Sequence, residues 1–241
     1  MSLPVAVLAG GLATRLRPLT EQVPKILIEI AGRSFAEHQL DLLQRWGVSE
    51  VVYCLGYRGE QVMAALGDGS ERHMRFTYVS DGPRLAGTGG ALRLALPFLG
   101  DAFFVMYGDS YLPCDFHEVE RAFRASGKPG LMTVFKNDNR WDRSNVAYEG
   151  GRIIRYDKTS PSEHAEHAES LRYIDYGLGV LTPPALAPWA GVDTPFDLSL
   201  VYQRLIERDA LAGCEVTERF YEIGSIAGLE ETRALLQGRT S

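Results

Sequence analysis

Cysteine is scarce: the 241-residue chain holds three, Cys54, Cys114 and Cys214, odd in number and widely spaced. That pattern offers neither a disulfide framework nor the Cys-x-x-Cys spacing of a zinc or redox site, and it reads as free thiols. Long apolar runs are missing too. None approaches the ~20 residues that span a bilayer, and the opening Met-Ser-Leu-Pro-Val-Ala-Val-Leu lacks the basic flank of a secretory signal. A cytoplasmic chain without a membrane partner is expected. Positive charge is in deficit, with 25 Lys plus Arg against 31 Asp plus Glu and a formal net charge of −6. Such a surface has no overall pull on nucleic acid or anionic lipid, so a polyanionic ligand must be held by a local cluster of donors. No fixed-period repeat is visible. At 45% hydrophobic and 23% charged residues, the composition is that of an ordinary folded chain with enough apolar mass for a large core.

Leu3 to Ala9 is an almost uninterrupted apolar run that stops at Gly10-Gly11, as a strand buried on both faces in a parallel sheet does. Further strands are predicted at Ile26 to Ile30, Glu50 to Leu55, Arg75 to Ser80 and Ala102 to Tyr107. Between them lie helices at Ser34 to Trp46, with Ser34 and Glu37 as a capping box, at Gly59 to Leu66, and at Thr88 to Leu96, ended by Pro97. That alternation is βαβ. The second half is less regular, with strands predicted at Leu131 to Lys136, Ser144 to Tyr148, Ile153 to Asp157 and Tyr173 to Leu181, and helices near Phe196 to Arg208 and Ile226 to Leu236.

Gly10 and Gly11, directly after the first strand, let backbone N–H groups approach a ligand closely, while Thr14, Arg15 and Lys25 add a hydroxyl and two positive charges. Together they form an anion cradle. The segment has neither the G-x-x-x-x-G-K-[ST] spacing of a P-loop nor the G-x-G-x-x-G spacing of a dinucleotide fold. Glu29 stands where a ribose-binding acid would follow such a fingerprint, but Pro18, Pro24 and Lys25 interrupt the helix it requires, which excludes a nicotinamide oxidoreductase.

The run Gly10-Gly11-Leu12-Ala13-Thr14-Arg15-Leu16 with Pro24-Lys25 resembles the signature of the sugar-1-phosphate nucleotidyltransferases. Other blocks follow in the family's order: Ala86-Gly87-Thr88-Gly89-Gly90-Ala91 is similar to its base-and-ribose loop, Gly108-Asp109 to its metal-binding dipeptide, Asp157-Lys158 to its Glu-Lys-Pro block and Tyr176-Gly177-Leu178-Gly179 to its sugar-contacting strand. The resemblance covers essentially the whole chain. It implies an α/β fold with a Rossmann-like, mixed, mostly parallel central sheet flanked by helices, of the nucleotide-diphospho-sugar transferase type, and a smaller sugar-binding β part. One nucleotidyltransferase domain over residues 1–241 is expected, with a nucleotide-binding half to about residue 110 and a sugar-binding half after it.

The implied reaction joins a nucleoside triphosphate to a sugar 1-phosphate with loss of pyrophosphate, so two mutually repelling anions must be neutralised and held in line. By resemblance, Arg15 clamps the triphosphate, Lys25 sits near the reacting phosphate, and Leu8, Ala9, Gly10, Gly11, Thr14, Gly87, Thr88 and Gly89 receive the nucleotide. Lys158 takes the sugar's phosphate, Asp157 accepts from sugar hydroxyls, and Asn145, Asp175 and Gly177 complete the sugar side. Asp109, at the carboxyl end of an apolar strand, offers the hard oxygen that suits Mg²⁺. The family's second metal aspartate is replaced by Glu222, one methylene longer, which leaves direct ligation, ligation through water, or a metal resting mainly on Asp109 all open. Asp81 also has two readings, as an acceptor for guanine N–H groups and as a turn residue before Gly82-Pro83. The acidic run Glu163 to Glu169 reads as a solvated loop, with a lid over the sugar as a further reading.

Guanylyl transfer to a heptose or mannose 1-phosphate is the first expectation; uridylyl or thymidylyl transfer to a hexose 1-phosphate, and a nucleotide-sugar sensor without turnover, are the alternatives. Family members form homo-oligomers, though no patch in this sequence marks an interface.

Overall fold

The structure, a computed structural model, describes residues 2–158 and 171–238. The first half runs β1 (Val5–Leu8), a small hairpin of β2 (Glu29–Ile30) and β3 (Arg33–Ser34), α1 (Phe35–Arg45), β4 (Glu50–Leu55), α2 (Gly59–Leu66), β5 (Arg75–Ser80), α3 (Gly87–Ala95) and β6 (Phe103–Tyr107). The second runs β7 (Ser110–Tyr111), α4 (Phe116–Ser126), β8 (Gly130–Lys136), β9 (Val146–Glu149), β10 (Arg152–Tyr156), β11 (Tyr173–Leu181), α5 (Pro183–Leu186), α6 (Leu198–Glu207), β12 (Leu211–Val216), β13 (Tyr221–Glu222) and α7 (Ile226–Gln237).

Nine strands form one sheet in the order β5-β4-β1-β6-β11-β8-β12-β10-β9. Only β10 and β11 run against the rest, so the sheet is mixed and mostly parallel. All four residues of β1 are buried, because the strand lies in the middle of a sheet covered on both faces. Alternate side chains of the central strands feed two separate apolar clusters: Val5, Val7 and Phe104 lie in one, Ala6, Leu8 and Val105 in the other. Helix α1 starts at the expected capping box, where the Glu37 carboxylate accepts from Ser34 N at 2.8 Å and Ser34 Oγ accepts from Glu37 N. Such a cap is worth about 1 kcal/mol.

The chain proceeds from β1 outward to β4 and β5, then returns to place β6 on the other side of β1. In open α/β sheets, ligands lie beyond the carboxyl ends of the strands at such a reversal of order. Register brings Leu8 level with Cys54 on one side and Tyr107 on the other, so three side chains reach that edge together.

Three sequence expectations need correction. Ile26 to Ile30 is not a sheet strand: Lys25–Leu27 is a single 3-10 turn closed onto Pro24 and Lys25 carbonyls, and only Glu29–Ile30 pairs, with Arg33–Ser34. Helix α4 was not expected. It is capped by Asp115, which accepts from His117 N at 2.7 Å, and buries Phe116, Val119 and Phe123. Strand β12 was also missed; it pairs in parallel with β8 along its whole length. The Glu163 to Glu169 run lies outside the described residues. Among the described residues, no helix is long and apolar enough to cross a membrane.

Candidate functional site

A cavity of about 220 Å³ opens at the carboxyl ends of β1, β4 and β6, between the Gly10-Gly11 turn, Asp81 and the start of α3. The two glycines of the turn do different things. A Cβ on Gly10 would stand 3.1 Å from Gly56 N, so Gly10 is bare because the turn packs on the exit of β4; a Cβ on Gly11 would meet nothing within 4 Å. Gly11 is therefore the open approach for a ligand. Cys54 lines the same wall, but burial pushes its thiol up to about 12, which leaves it protonated and unreactive.

Lys25, delivered by its 3-10 turn, and Asp109, one residue beyond Gly108 at the end of β6, meet at the mouth with Nζ to Oδ2 at 2.8 Å. A Cβ on Gly108 would stand 2.9 Å from Ala9 Cβ, so the bare backbone there lets β6 exit close against β1 and aims Asp109 into the opening. Arg15 is placed differently. It sits with Thr14 on an exposed 3-10 turn (Thr14–Leu16), neither lines the cavity, and Arg15 has no hydrogen bond or ion pair among the described residues. Its guanidinium is unengaged charge on the loop flanking the mouth.

Asp81 bears out the turn reading and also lines the cavity. Its Oδ2 accepts from Ala86 N at 3.0 Å, closing the turn, while the side chain lines the cavity and its other oxygen accepts no hydrogen bond among the described residues. Burial raises its pKa, and the Ala86 N–H opposes this only in part.

Gly87 and Thr88 line the cavity, whereas Gly89 is buried beneath it. A Cβ on Gly87 would fall 2.5 Å from Phe196 O, and one on Gly89 would overlap the Phe196 ring. These glycines let α3 dock on the segment leading into α6, a union tied by Gly89 N to Phe196 O at 3.0 Å and Phe196 N to Ala86 O at 3.1 Å.

The residues expected on the sugar side gather next to this wall. Asn145 Oδ1 accepts from Asp175 N at 2.9 Å, and Asn145 O accepts from Asp157 N at 2.8 Å, which links three of them through one residue. A register break in β11 after Asp175, with Gly177 at φ +94, turns the strand there. The Asp175 carboxylate then accepts from Gly177 N and from Tyr156 Oη, each at 3.0 Å. Desolvation in this half-buried position raises its pKa despite those bonds. Lys158 Nζ lies 3.0 and 3.2 Å from the two oxygens of Asp197, and 5.5 Å from the centre of the Tyr107 ring. Burial, then the charges of Asp175, Asp197 and Asp109 beside it, push the Tyr107 phenol well above its usual range. Tyr107 lines the cavity, so nucleotide-side and sugar-side residues meet around one ring. Sequence reasoning missed both Tyr107 and Asp197. The only local signal was the Asp-Leu-Ser start of a helix.

Glu222 and Asp109 face one small space: a Cβ on Gly224 would stand 2.5 Å from Glu222 Oε2 and 3.2 Å from Asp109 Oδ2. Glu222 is folded onto the start of α7, accepting from Gly224 N and, at 2.7 Å, from Ser225 Oγ. Among the described residues, Asp109 Oδ1 has only a 3.5 Å contact, from Ser110 Oγ. Magnesium takes one or two carboxylates and fills its shell with phosphate oxygens and water. An acid with a lightly used oxygen beside a second acid fits that demand, with Asp109 the better placed. Among the described residues, no group of three or more His, Cys, Asp or Glu is arranged to hold a metal.

Fold and site together define a nucleotide-diphospho-sugar transferase architecture, with its ligand edge at the reversal of strand order. The chain belongs to the nucleotidyl transferase family, whose sequence profile matches residues 5–145, and the resemblance to sugar-1-phosphate nucleotidyltransferases is thereby shown. A mannose-1-phosphate guanyltransferase of Aspergillus fumigatus is 31% identical over 186 residues, covering 75% of this chain and 50% of that protein. A glucose-1-phosphate thymidylyltransferase of Streptomyces antibioticus is 28% identical over 243 residues, 96% of this chain and 65% of that one. The chain spans about half the length of the first curated relatives it matches. Among solved structures, a Bacillus anthracis protein in complex with sucrose has a TM-score of 0.84 at 19% identity, covering 98% of this chain and 96% of that one. HddC from Yersinia pseudotuberculosis, complexed with GMP-PN, has a TM-score of 0.75 at 17% identity, covering 97% and 99%. Those two likenesses share the fold.

Proposed function

We propose that this chain transfers a nucleotidyl group from a nucleoside triphosphate to a sugar 1-phosphate and releases pyrophosphate. The observation that carries the reading is the Lys25–Asp109 pair, 2.8 Å apart at the mouth of a cavity lined by the open Gly11 backbone. An ammonium there neutralises the phosphate under attack, most strongly as charge shifts in the transition state. Arg15, exposed on the neighbouring loop and without an ion pair among the described residues, closes on the departing pyrophosphate. Lys158 and the Asn145–Asp175 pair hold the second substrate so that its phosphate oxygen meets the α-phosphorus in line. Asp109, with Glu222 next to it, would hold Mg²⁺, which when bound supplies charge neutralisation across both phosphate groups.

Guanine is the favoured base and mannose or heptose the favoured sugar. Asp81 presents an unengaged carboxylate oxygen in the cavity, which matches the paired N1–H and N2–H₂ donors of guanine and repels the carbonyl edge of uracil or thymine. Several relatives are named mannose-1-phosphate guanyltransferases, although one is a thymidylyltransferase. The test is pyrophosphate release with Mg²⁺ across GTP, UTP and dTTP paired with mannose, glucose and heptose 1-phosphates. GTP is expected to lead, and Asp81→Asn is expected to erode that lead. Silence of every pair, with a nucleotide sugar still bound, would make the chain a sensor instead.

A further inference from the structure

Asp197 occupies an unusual position. One carboxylate serves three elements: Oδ1 accepts from Lys158 Nζ at 3.0 Å and from Ser199 N at 2.8 Å, and Oδ2 accepts from Thr88 Oγ1 at 3.1 Å and from the same lysine at 3.2 Å. Thr88 in turn accepts from Leu198 N at 2.8 Å, which closes a ring between the start of α3 and the start of α6. Thr88 lines the cavity; Lys158 lies on the sugar side, against the Tyr107 ring. The two therefore stand at opposite substrates and share one acid.

We infer that Asp197 is a positioning residue that couples the two substrate sites, because its carboxylate holds the Thr88 hydroxyl and the Lys158 ammonium at once. The inference rests on the nucleotidyl-transfer reading above. A lysine chain is flexible, and a ligand that recruits it must bear the entropy of ordering it. A nucleotide seated on Gly87 and Thr88 fixes the Thr88 hydroxyl, which fixes the carboxylate, which holds the ammonium where the second phosphate arrives. The ordering cost has then been met before the sugar phosphate binds, so the first ligand strengthens the second. When Lys158 turns to that phosphate, Asp197 stays anchored by Ser199 N and Thr88, and the helix cap is undisturbed.

Two properties make the idea testable without wrecking the fold. Asparagine is as good a helix cap as aspartate: its one amide oxygen still accepts from Ser199 N, and its amide nitrogen, standing where Oδ2 was, donates to Thr88 Oγ1, but it carries no charge for Lys158. The experiment is calorimetric titration of mannose 1-phosphate into the full chain, with and without a non-hydrolysable GTP analogue, for the wild type, Asp197→Asn and Thr88→Val. In the wild type the analogue is expected to tighten mannose 1-phosphate binding by about fivefold or more, within the usual range of coupling between sites. Asp197→Asn is expected to bring that factor close to one while leaving the analogue's own affinity within about twofold. Thr88→Val is expected to lower the factor as well, by cutting the other arm. A merely structural role for Asp197 would weaken both ligands and leave the factor intact, and that result overturns the inference while the nucleotidyl-transfer reading stands. Failure of the wild type to bind either probe overturns both.

Discussion

Gly89 tests how the glycine loop is seated. A Cβ there would overlap the Phe196 ring and stand 3.2 Å from the Asp197 backbone. Gly89 lies within α3, so alanine gains about 1 kcal/mol of helix propensity, while forcing a methyl against a buried ring costs about 1–3 kcal/mol. Gly89→Ala alone is thus expected to destabilise by roughly 0–2 kcal/mol, the difference of those two effects. Phe196 is 8% exposed, and emptying its volume in Phe196→Ala costs about 3–5 kcal/mol. In the double variant the new methyl enters the space the ring has left, so the overpacking cost disappears and part of the cavity is refilled. The double variant is expected to be more stable than the sum of the singles predicts by about 1–3 kcal/mol, the range seen for residues in contact. Equilibrium urea unfolding of the four proteins measures this directly. Additivity within about 0.5 kcal/mol would falsify the claim that loop and ring compete for one space, and would return Gly89 to the role of bare backbone facing a ligand.

Three further outcomes follow from the site. Lys25→Ala is expected to lower turnover by about 10²–10³-fold, with little change in unfolding midpoint because the pair is partly exposed; undiminished pyrophosphate release would remove Lys25 from the chemistry. Glu222→Asp is expected to keep or raise activity, whereas Glu222→Ala shifts the Mg²⁺ concentration for half-maximal rate upward; an unmoved Mg²⁺ curve in the alanine variant ends the assignment of Glu222. Asp175 has a folded-state pKa raised above 3.8, chiefly by burial, so its contribution to stability is fullest below that value and is lost as pH rises through the folded one. Asp175→Asn is expected to flatten that loss in urea midpoints taken across the window, and a wild-type curve that rises with pH to the same degree as the variant's would contradict it.

The sheet strands of the first half were legible from short runs rich in apolar and β-branched residues, and Glu50–Leu55 and Arg75–Ser80 fall where the pattern put them, whereas the apolar run Ile26 to Ile30 misled because it is too short to reach the sheet and turns on itself. Helix α1 announced itself by its capping box. Helix α4 carried the same kind of signal, with Phe116, Val119 and Phe123 at i, i+3 and i+7 behind the Asp115 cap, so its absence from the expectations has no physical ground. Strand β12 is short and carries Gly213, Cys214 and Glu215, which blunt any alternation. At the site, Lys25 and Asp109 come together as the motif order suggested. The role of Phe196 in seating Gly87 and Gly89, and the sharing of Asp197 by Lys158 and Thr88, span gaps of 39 and 109 residues. Contacts at that separation leave no periodicity behind.

The fit around Glu222 constrains how this chain can drift. A Cβ on Gly228 would collide with Glu222 Oε1, and one on Gly224 would crowd its other oxygen. The longer acid is thus housed in the volume of two absent methyl groups. Shortening it to aspartate leaves a hollow, and restoring either methyl while the glutamate remains evicts the carboxylate from the helix start. Positions 222 and 224 are therefore coupled, and aspartate at the first would free the second for alanine; Gly228 is held by the backbone as well, since a Cβ there would stand 2.7 Å from the Glu222 carbonyl oxygen whatever the side chain at 222.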